Sequence, residues 1–340
     1  MISSRLINRR FRFYLIDLSV NFLSFLLRKE LDISILLKPK LSDSLNKRLP
    51  MESSDQNFVL VLQGPIINSI DLNYLLDTLT IYRKNFPRVK IIISSYISCQ
   101  IYLDLVNVDL YDDMVLSDDK KLNSNFEKQV FSSHNGILAG RKYNRKYVVK
   151  SRVDQRFTNP FSFSYFRMLL EKFPSNMSDH NPRIIGSSYN SWLYRPLGIS
   201  DMLIVGTFED LIKYWRFDSL VSEYKLQSCI ENFDSTWLRE MNLHFETFLA
   251  ARYLAESGFV FTNDAMYDNN RMWKDFMLIV NAQDIGHEWR KRNRLFVGNS
   301  LVKFDYHAKA DSLKEINFID WISIYSEEFQ VGKIDGYENF

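Results

Sequence analysis

The chain of 340 residues has few cysteines and lacks the short motifs that mark several large enzyme classes. Its two cysteines, Cys99 and Cys229, form neither a CxxC pair nor a Cys/His spacing typical of a zinc site. We therefore expect no dependence on disulfides, which fits a reducing cytoplasm. GxGxxG, GxxxxGK(S/T), GxSxG and HExxH are also missing. These absences argue against Rossmann dehydrogenases, P-loop kinases, elbow-type serine hydrolases and zincins.

The net charge of +2 is unevenly distributed along the chain. Residues 1–48 contain ten Lys or Arg and four Asp or Glu, a net charge of +6, so the remaining residues carry −4. The body of the protein is therefore not expected to bind nucleic acid, whereas the N-terminal segment could lie on an anionic surface.

The N-terminal segment is apolar from Phe11 to Leu27, but this run is interrupted by polar residues and is shorter than a membrane span. It also lacks a small-residue cleavage signature, so it is not read as a signal peptide. One interpretation is an interfacial amphipathic helix with Arg5, Arg9, Arg10 and Arg12 facing lipid head groups. The other is a helix that packs on the domain.

The order of apolar segments after Leu37–Asn57, a polar stretch that reads as a linker, predicts an α/β fold. Buried strands and amphipathic helices alternate up to the segment 147–157, which favours a mostly parallel sheet with flanking helices. Beyond it the pattern predicts helices and strands at Phe161–Phe173, Arg183–Ser187, Met202–Gly206, Thr207–Arg216, Phe245–Glu256 and, as a strand, Phe259–Thr262. From Asn263 onward the signals are weak.

The segment YVVKSRVDQRF, from Tyr147 to Phe157, ends an apolar strand in a cluster of charges around Asp154. Open α/β sheets bind ligands at the carboxyl ends of their strands. Asp154 could ligate a divalent metal on a donor diphosphate, with Lys150, Arg152 and Arg156 on its side of the strand by alternation. Those cations could pair with phosphate or simply with Asp154. Arg156 stands where a DxD motif would have its second carboxylate, so a cation of the protein could replace the metal.

Two further carboxylates are candidates for the catalytic base. Glu246 lies in the first turn of the helix predicted from Phe245, where it could take a proton from an acceptor hydroxyl. Alternatively it only complements the positive end of the helix. Asp201 precedes a predicted strand and could bind the acceptor, act as the base, or cap a turn.

Other candidates are weaker. Gly64 and Pro65 follow the first strand and would leave backbone donors open to a base or ribose. Of the five histidines, only His134 lies in a segment expected near the site, and a lone helical histidine is more often structural.

Six segments, in this order, resemble the WavE-type lipopolysaccharide-synthesis family, bacterial proteins regarded as glycosyltransferases of surface polysaccharide assembly. They are VLQGPI (Val61 to Ile66), YRKNFPRVKIIISSY (Tyr82 to Tyr96), NSNFEKQVFSSHNGI (Asn123 to Ile137), VVKSRVDQRF (Val148 to Phe157), ISDMLIVGTFEDLIKYW (Ile199 to Trp215) and HFETFLAARYL (His244 to Leu254).

The resemblance implies a GT-A-like nucleotide-diphospho-sugar fold, with Asp154 in the place of the DxD motif. It also implies that the site is lined by Gln63, Gly64, Asn125, Gln129, Lys150, Arg152, Asp201 and Glu246. Two departures from the family pattern, Tyr96 for a tryptophan and Phe245 for a proline, remove no reactive group.

The sequence thus predicts a cytoplasmic glycosyltransferase, peripheral on the inner face of the membrane, with a nucleotide-sugar donor and a lipid-linked saccharide acceptor. Mg²⁺ or Mn²⁺ could assist at Asp154. The predicted domains are a basic N-terminal segment and linker (1–50), the GT-A-like domain (51–270) and a C-terminal extension packed on it (271–340). One rival is a non-catalytic nucleotide-sugar-binding or scaffold subunit of a polysaccharide complex, and another is a peripheral membrane adaptor.

Overall fold

The computed structural model of this chain describes most of the sequence after the predicted linker. The described residues are 54–173, 175, 183–218, 235, 236, 238, 245–290 and 314–326. The basic segment predicted for residues 1–50, including Arg5, Arg9, Arg10 and Arg12, lies outside them, as does His244.

Four parallel strands form the first half of the main sheet. They are β1 (Phe58–Gln63), β2 (Lys90–Tyr96), β3 (Asp113–Ser117) and β4 (Tyr147–Arg152). β1 lies between β2 and β4, and β3 is the outer strand beside β2. β1 is buried along its whole length and β4 is buried up to Arg152, which explains why β1 and the start of β4 are apolar runs rather than alternating patterns.

Helices connect these strands and cover the sheet. α1 (Ser69–Asn85) begins at Asn68, whose side chain accepts from Asp71 N, and it ends just before Pro87. α2 (Gln100–Leu103) is a single turn. α3 (Asn125–Gly140) begins at Ser124, whose hydroxyl accepts from Glu127 N at 3.1 Å.

Five more strands follow, three of which complete the main sheet. β5 (Gln155–Phe157) leaves that sheet, whereas β6 (Ile184–Ser187), β7 (Ile204–Thr207) and β8 (Met277–Val280) extend it beyond β4. The order is β3-β2-β1-β4-β7-β6-β8, and only β7 runs antiparallel to its neighbours. β8 comes from the segment predicted as a C-terminal extension.

A two-stranded antiparallel ribbon stands apart from the main sheet. β5 pairs with β9 (His287–Trp289), with Gln155 opposite Trp289 and Phe157 opposite His287. The chain therefore turns sharply after β4, at Val153 and Asp154, so the alternation predicted from Lys150 through Arg156 is interrupted there.

The remaining helices pack around the second half of the sheet. They are α4 (Ser162–Lys172), α5 (Phe208–Tyr214), α6 (Phe245–Glu256), α7 (Ala265–Arg271) and α8 (Phe318–Ser326). None of the helices in the described ranges is long and apolar enough to cross a membrane. The strand predicted at Phe259–Thr262 is wrong, because these residues form no strand after Gly258 ends α6.

Aromatic side chains fill much of the core. Phe58, Phe86, Phe157 and Phe163 are buried and contact one another with ring centroids 4.7 to 5.7 Å apart. Each buried phenylalanine contributes roughly 1.5–3 kcal/mol of hydrophobic stabilisation. These aromatic residues therefore serve the core rather than a sugar-binding surface.

The direction of the strands concentrates several chain ends at one edge of the sheet. β1, β2, β4, β6 and β8 finish at this edge, which we call the carboxyl edge, and the antiparallel β7 begins there. The predicted α/β class, a mostly parallel sheet with flanking helices, is confirmed and is consistent with the GT-A-like fold that the resemblance implies.

Candidate functional site

The end of β1 is tied into the carboxyl edge rather than left open. The buried Gln63 Nε2 donates to Ser132 Oγ at 3.0 Å and to Tyr96 Oη at 3.2 Å. Gln63 therefore links β1 to β2 and α3. Its amide nitrogen is used within the protein.

Gly64 has a conformation that favours glycine, with φ of +137°. A Cβ atom here would lie 3.0 Å from Val153 Cγ2, so the loop after β1 and the turn after β4 approach closely. Gly64 N donates to Ser94 O at 3.1 Å, and Gly64 O accepts from Ser95 Oγ at 2.8 Å. The expectation that Gly64 offers an open backbone donor is wrong. Pro65, which has no N–H, is exposed.

Asp154 lies in the turn after β4 and is held by one side chain nearby in the sequence and by one distant side chain. Arg152 Nε donates to Asp154 Oδ1 at 2.9 Å and Arg152 Nη2 to Oδ2 at 3.1 Å, a bidentate pair. Trp289 Nε1 also donates to Asp154 Oδ2 at 3.1 Å, and Arg290 N donates to the Asp154 carbonyl at 3.0 Å. This arrangement fixes the carboxylate at the carboxyl edge.

The residues around Asp154 do not fit a divalent cation held by the protein. Both carboxylate oxygens accept from Arg152, and one also accepts from Trp289. Within the described ranges, no group of three or more His, Cys, Asp or Glu side chains could hold a metal ion. Hard cations such as Mg²⁺ bind to oxygen atoms, and both carboxylate oxygens of Asp154 are already engaged by hydrogen-bond donors. We therefore derive no step through a metal.

Lys150 lies beneath the carboxyl edge and does not reach solvent. Its side chain is fully buried, and Nζ lies 4.2 Å from the centroid of the Trp215 ring. Burial lowers the pKa of Lys150 to about 7, although Asp201 opposes this shift. Lys150 Nζ donates to the Asp201 carbonyl at 2.9 Å. The structure thus places Lys150 behind Asp201 as a support.

Two carboxylates meet where β7 begins. Asp201 is buried, and its Oδ2 accepts from Gln129 Nε2 of α3. Glu246, in the first turn of α6, has its pKa raised to about 7, chiefly by burial and then by the charge of Asp201. Burial raises the pKa of Tyr214, and the charges of Asp201 and Glu246 raise it further, so all three residues interact electrostatically. The pair therefore forms one acidic centre.

Arg195 is a further charged residue at this centre, and no pattern in the sequence indicated it. Glu246 interacts electrostatically with Arg195, and burial lowers the pKa of the guanidinium. Its loop is held by Asn269, whose Oδ1 accepts from Leu197 N at 3.0 Å and whose Nδ2 donates to Leu193 O at 2.9 Å. Leu197 has a φ of +55°, a strained conformation for a branched side chain.

The acidic centre and the Asp154 turn are electrostatically connected. Arg152, paired with Asp154, also interacts with Asp201, and Lys150 interacts with both carboxylates. Of the predicted residues, the structure thus brings together Gln129, Lys150, Arg152, Asp154, Asp201 and Glu246.

Two predicted residues lie elsewhere. Arg156 is on the outer face of the ribbon, where Nε donates to Glu288 Oε2 and Nη1 to Asp77 Oδ2, both at 2.6 Å. Asn125 is exposed at the start of α3.

The histidine expected near the site is not the one beside Asp154. The charged residues that interact with His134 are Arg252, Arg216 and Asp218. His287, on β9, interacts instead with Asp154. Sequence reasoning missed His287 and Trp289 because they fall in the region after Asn263, where periodicity is weak. The only signal was their alternation at 287 and 289.

The arrangement combines the two groups that sugar transfer requires. A carboxyl with a pKa of about 7 can accept a proton near neutral pH. A guanidinium held at the carboxyl edge can stabilise a departing anion.

The family model described as WavE lipopolysaccharide synthesis matches residues 58–334. Comparison with curated proteins finds no match. Among solved structures, the chain is similar to a crystal structure of a glycosyltransferase involved in the glycosylation of the major capsid of PBCV-1. That similarity has 10% identity and a TM-score of 0.30 over 50% of this chain and 68% of the other, too low to support an argument.

Proposed function

This chain belongs to the WavE lipopolysaccharide synthesis family, and we propose that it is a glycosyltransferase of that synthesis. It would transfer a sugar from a nucleotide-sugar donor to a lipid-linked saccharide acceptor during the assembly of lipopolysaccharide, O-antigen or capsule. The observation that carries the proposal is the pairing of Glu246 and Asp201 at the same sheet edge as Arg152 and Asp154.

In the proposed reaction, Glu246 is the catalytic base. Its carboxylate takes the proton of the acceptor hydroxyl while the hydroxyl oxygen forms a bond to the anomeric carbon of the donor sugar. The bond from that carbon to the diphosphate oxygen breaks, and its electron pair leaves with the diphosphate. Burial, and then the charge of Asp201, keep the pKa of Glu246 high enough for the transfer near neutral pH. Asp201 is the alternative base, or a ligand of the acceptor.

Arg152 and Lys150 have different roles in this proposal. Arg152 is partly accessible and would stabilise the negative charge that develops on the diphosphate. Lys150 is a positioning residue, because its buried Nζ contacts the Asp201 carbonyl. Asp154 holds the Arg152 guanidinium in a fixed orientation.

The proposal also concerns location. We place the protein in the cytoplasm, at the inner face of the membrane, where a lipid-linked acceptor would be presented. Its support is the net charge of +6 on residues 1–48, which would favour anionic lipid.

The proposal is tested first by a donor screen and then by a variant. UDP-, GDP-, CMP- and dTDP-sugars are added to the full chain, and the donor is recognised because a ligand of the native state raises the melting temperature. Transfer of the sugar from that donor to a lipid-linked saccharide is then measured for the wild type and for Glu246→Gln. We expect transfer to fall about 10²- to 10⁴-fold with donor binding retained.

The outcomes separate this function from its rival. A wild type that binds a nucleotide sugar but transfers nothing would favour the non-catalytic subunit. Near-wild-type transfer by Glu246→Gln would remove Glu246 from the reaction and leave Asp201 as the base to be tested in the same way.

A further inference from the structure

A second group of buried polar side chains lies next to Asp154, on the inner face of the β5–β9 ribbon. Side chains alternate between the two faces of a strand, so the first and third residues of each three-residue strand share one face of the ribbon. These are Gln155, Phe157, His287 and Trp289. The charged pair formed by Arg156 and Glu288 occupies the other face. The inner face therefore presents neutral groups beside the Asp154 turn.

Two of these side chains have hydrogen-bonding atoms that no described residue engages. Gln155 is fully buried, and neither its Oε1 nor its Nε2 has a hydrogen-bond partner among the residues that the structure describes. His287 is 5% exposed, and its Nε2 likewise has no partner in the described part of the chain. Each such atom costs stability when it is buried without a partner. The fold gains nothing from these atoms, which points to a ligand.

His287 carries a neutral ring whose Nδ1 is engaged by a neighbouring serine. Ser187 Oγ lies 3.1 Å from His287 Nδ1 and accepts from Tyr189 N at 3.3 Å. Because a hydroxyl has two lone pairs, Ser187 can either donate to Nδ1 or accept from it, according to the tautomer of the ring. Burial lowers the pKa of His287 to about 4, so the ring is neutral. His287 Nε2 can then donate a hydrogen bond in one tautomer and accept one in the other, and the Gln155 amide offers both a donor and an acceptor.

The surroundings restrict the chemistry of that ligand. The ring of Tyr189 lies 6.0 Å from those of both His287 and Trp289, so aromatic surface adjoins the polar atoms. The charge that acts on His287 is the negative carboxylate of Asp154. None of the four side chains on this face carries a positive charge that could pair with an acidic sugar, whereas hydroxyl groups can both donate to and accept from neutral polar groups. Neutral hydrogen-bonding groups beside aromatic rings suit an uncharged sugar.

We propose that Gln155 and His287 bind hydroxyl groups of the sugar carried by the donor, and that this sugar is uncharged rather than acidic. The inference rests on the proposed function, since it assigns the sugar subsite of the same active site. The ring of the sugar would pack against Tyr189 or Trp289, with its diphosphate toward Arg152.

The test compares a nucleotide with its sugar-bearing form. The probes are the nucleoside diphosphate and the nucleotide-glucose of whichever base stabilises the full chain, for example UDP and UDP-glucose, with affinities measured by calorimetry. Gln155→Leu should weaken nucleotide-glucose binding roughly tenfold, the equivalent of one lost hydrogen bond, and leave nucleoside diphosphate binding unchanged. His287→Phe should do the same, because it keeps a planar ring but removes both nitrogens.

A structural role would give a different result. Because the Gln155 amide has no partner among the described residues, Gln155→Leu should melt at the wild-type temperature or above it. Glu288→Gln, on the outer face of the same ribbon, is the matched control and should bind both probes as the wild type does. The subsite is disproved if both variants keep wild-type affinity for nucleotide-glucose, or if they lose affinity equally for both probes. If no nucleotide binds the wild type, the proposed function fails and the subsite with it.

Discussion

At the scale of single residues, Glu246 owes its raised pKa to burial and to the charge of Asp201. As the proposed base, Glu246 is active only when ionised, so kcat/KM should rise with pH through about 7 and level off above it. The same shift affects stability. Because the folded-state pKa exceeds its ordinary value of 4.5, the stability that Glu246 contributes below that pH is lost as the pH rises through about 7.

One variant separates the effect of burial on the pKa of Glu246 from the effect of the Asp201 charge. Asp201→Asn removes the neighbouring charge but not the burial, so the rising limb of the pH–rate profile should move to lower pH, even if the rate itself falls. Profiles of the wild type and the variant, measured with the same donor, check this. An unchanged limb would mean that the group being titrated is not Glu246.

Some residues of the candidate site could be predicted from the sequence, and others could not. Asp154 and Glu246 were predictable because each follows from local pattern, the end of an apolar strand and the first turn of a helix. Arg195 and Trp289 were not, because their roles depend on neighbours 51 and 135 positions away in the chain. Contacts between residues so far apart in the chain cannot be predicted from a single sequence.

At the scale of elements, α3 packs against the sheet through Gly136. A Cβ at this position would lie 2.6 Å from Val61 Cγ1 and 2.8 Å from Ser94 Cβ. Alanine in a helix gains about 0.5–1 kcal/mol over glycine, but overpacking costs about 1–3 kcal/mol. The steric cost should prevail, so Gly136→Ala is expected to lower the free energy of unfolding, measured by urea denaturation.

A control on the same helix tests this reasoning. Leu138 is 41% exposed, and Leu138→Ala should change the free energy of unfolding by no more than about 0.5 kcal/mol. If Gly136→Ala is as stable as the wild type, α3 can move away from β1 and β2, and the contact does not fix its position.

Apolar patterns predicted an element correctly where they came from regular secondary structure. They misled where buried side chains alternate without regular secondary structure. α6 was predicted with the bounds observed, because an apolar face and a following Gly258 define it. The segment 259–262 does alternate, since Phe259 and Phe261 are buried and Val260 is exposed. No strand pairs with it, however, so the alternation comes from two rings packing on the core. β8 was not predicted, because its four apolar residues are too few to indicate a strand in a region where the periodicity is weak.

At the scale of the whole molecule, the core of the described unit is built from residue 54 onward, and the basic segment precedes it. We predict that the full chain binds vesicles containing anionic lipid and that deletion of residues 1–50 abolishes this binding. Each basic residue near such a surface contributes about 1 kcal/mol. Vesicle co-sedimentation measures the effect, and added salt should weaken it.

Neutral vesicles and donor binding are the controls for this deletion. The shortened chain should keep the thermal stabilisation that the donor gives to the full chain. Vesicle binding that survives the deletion would place the membrane contact elsewhere on the protein.

The hydrogen bond from Trp289 to Asp154 has a consequence for biosynthesis. β1 to β4 occupy the first half of the chain, yet the carboxylate at the end of β4 acquires this partner only from residue 289. During synthesis, the early strands can pair before the site exists, since contacts distant in sequence form late. A ribosome-bound or truncated chain ending before the ribbon would therefore hold a folded half-sheet without the complete candidate site, which would form only after residue 289 has been synthesised.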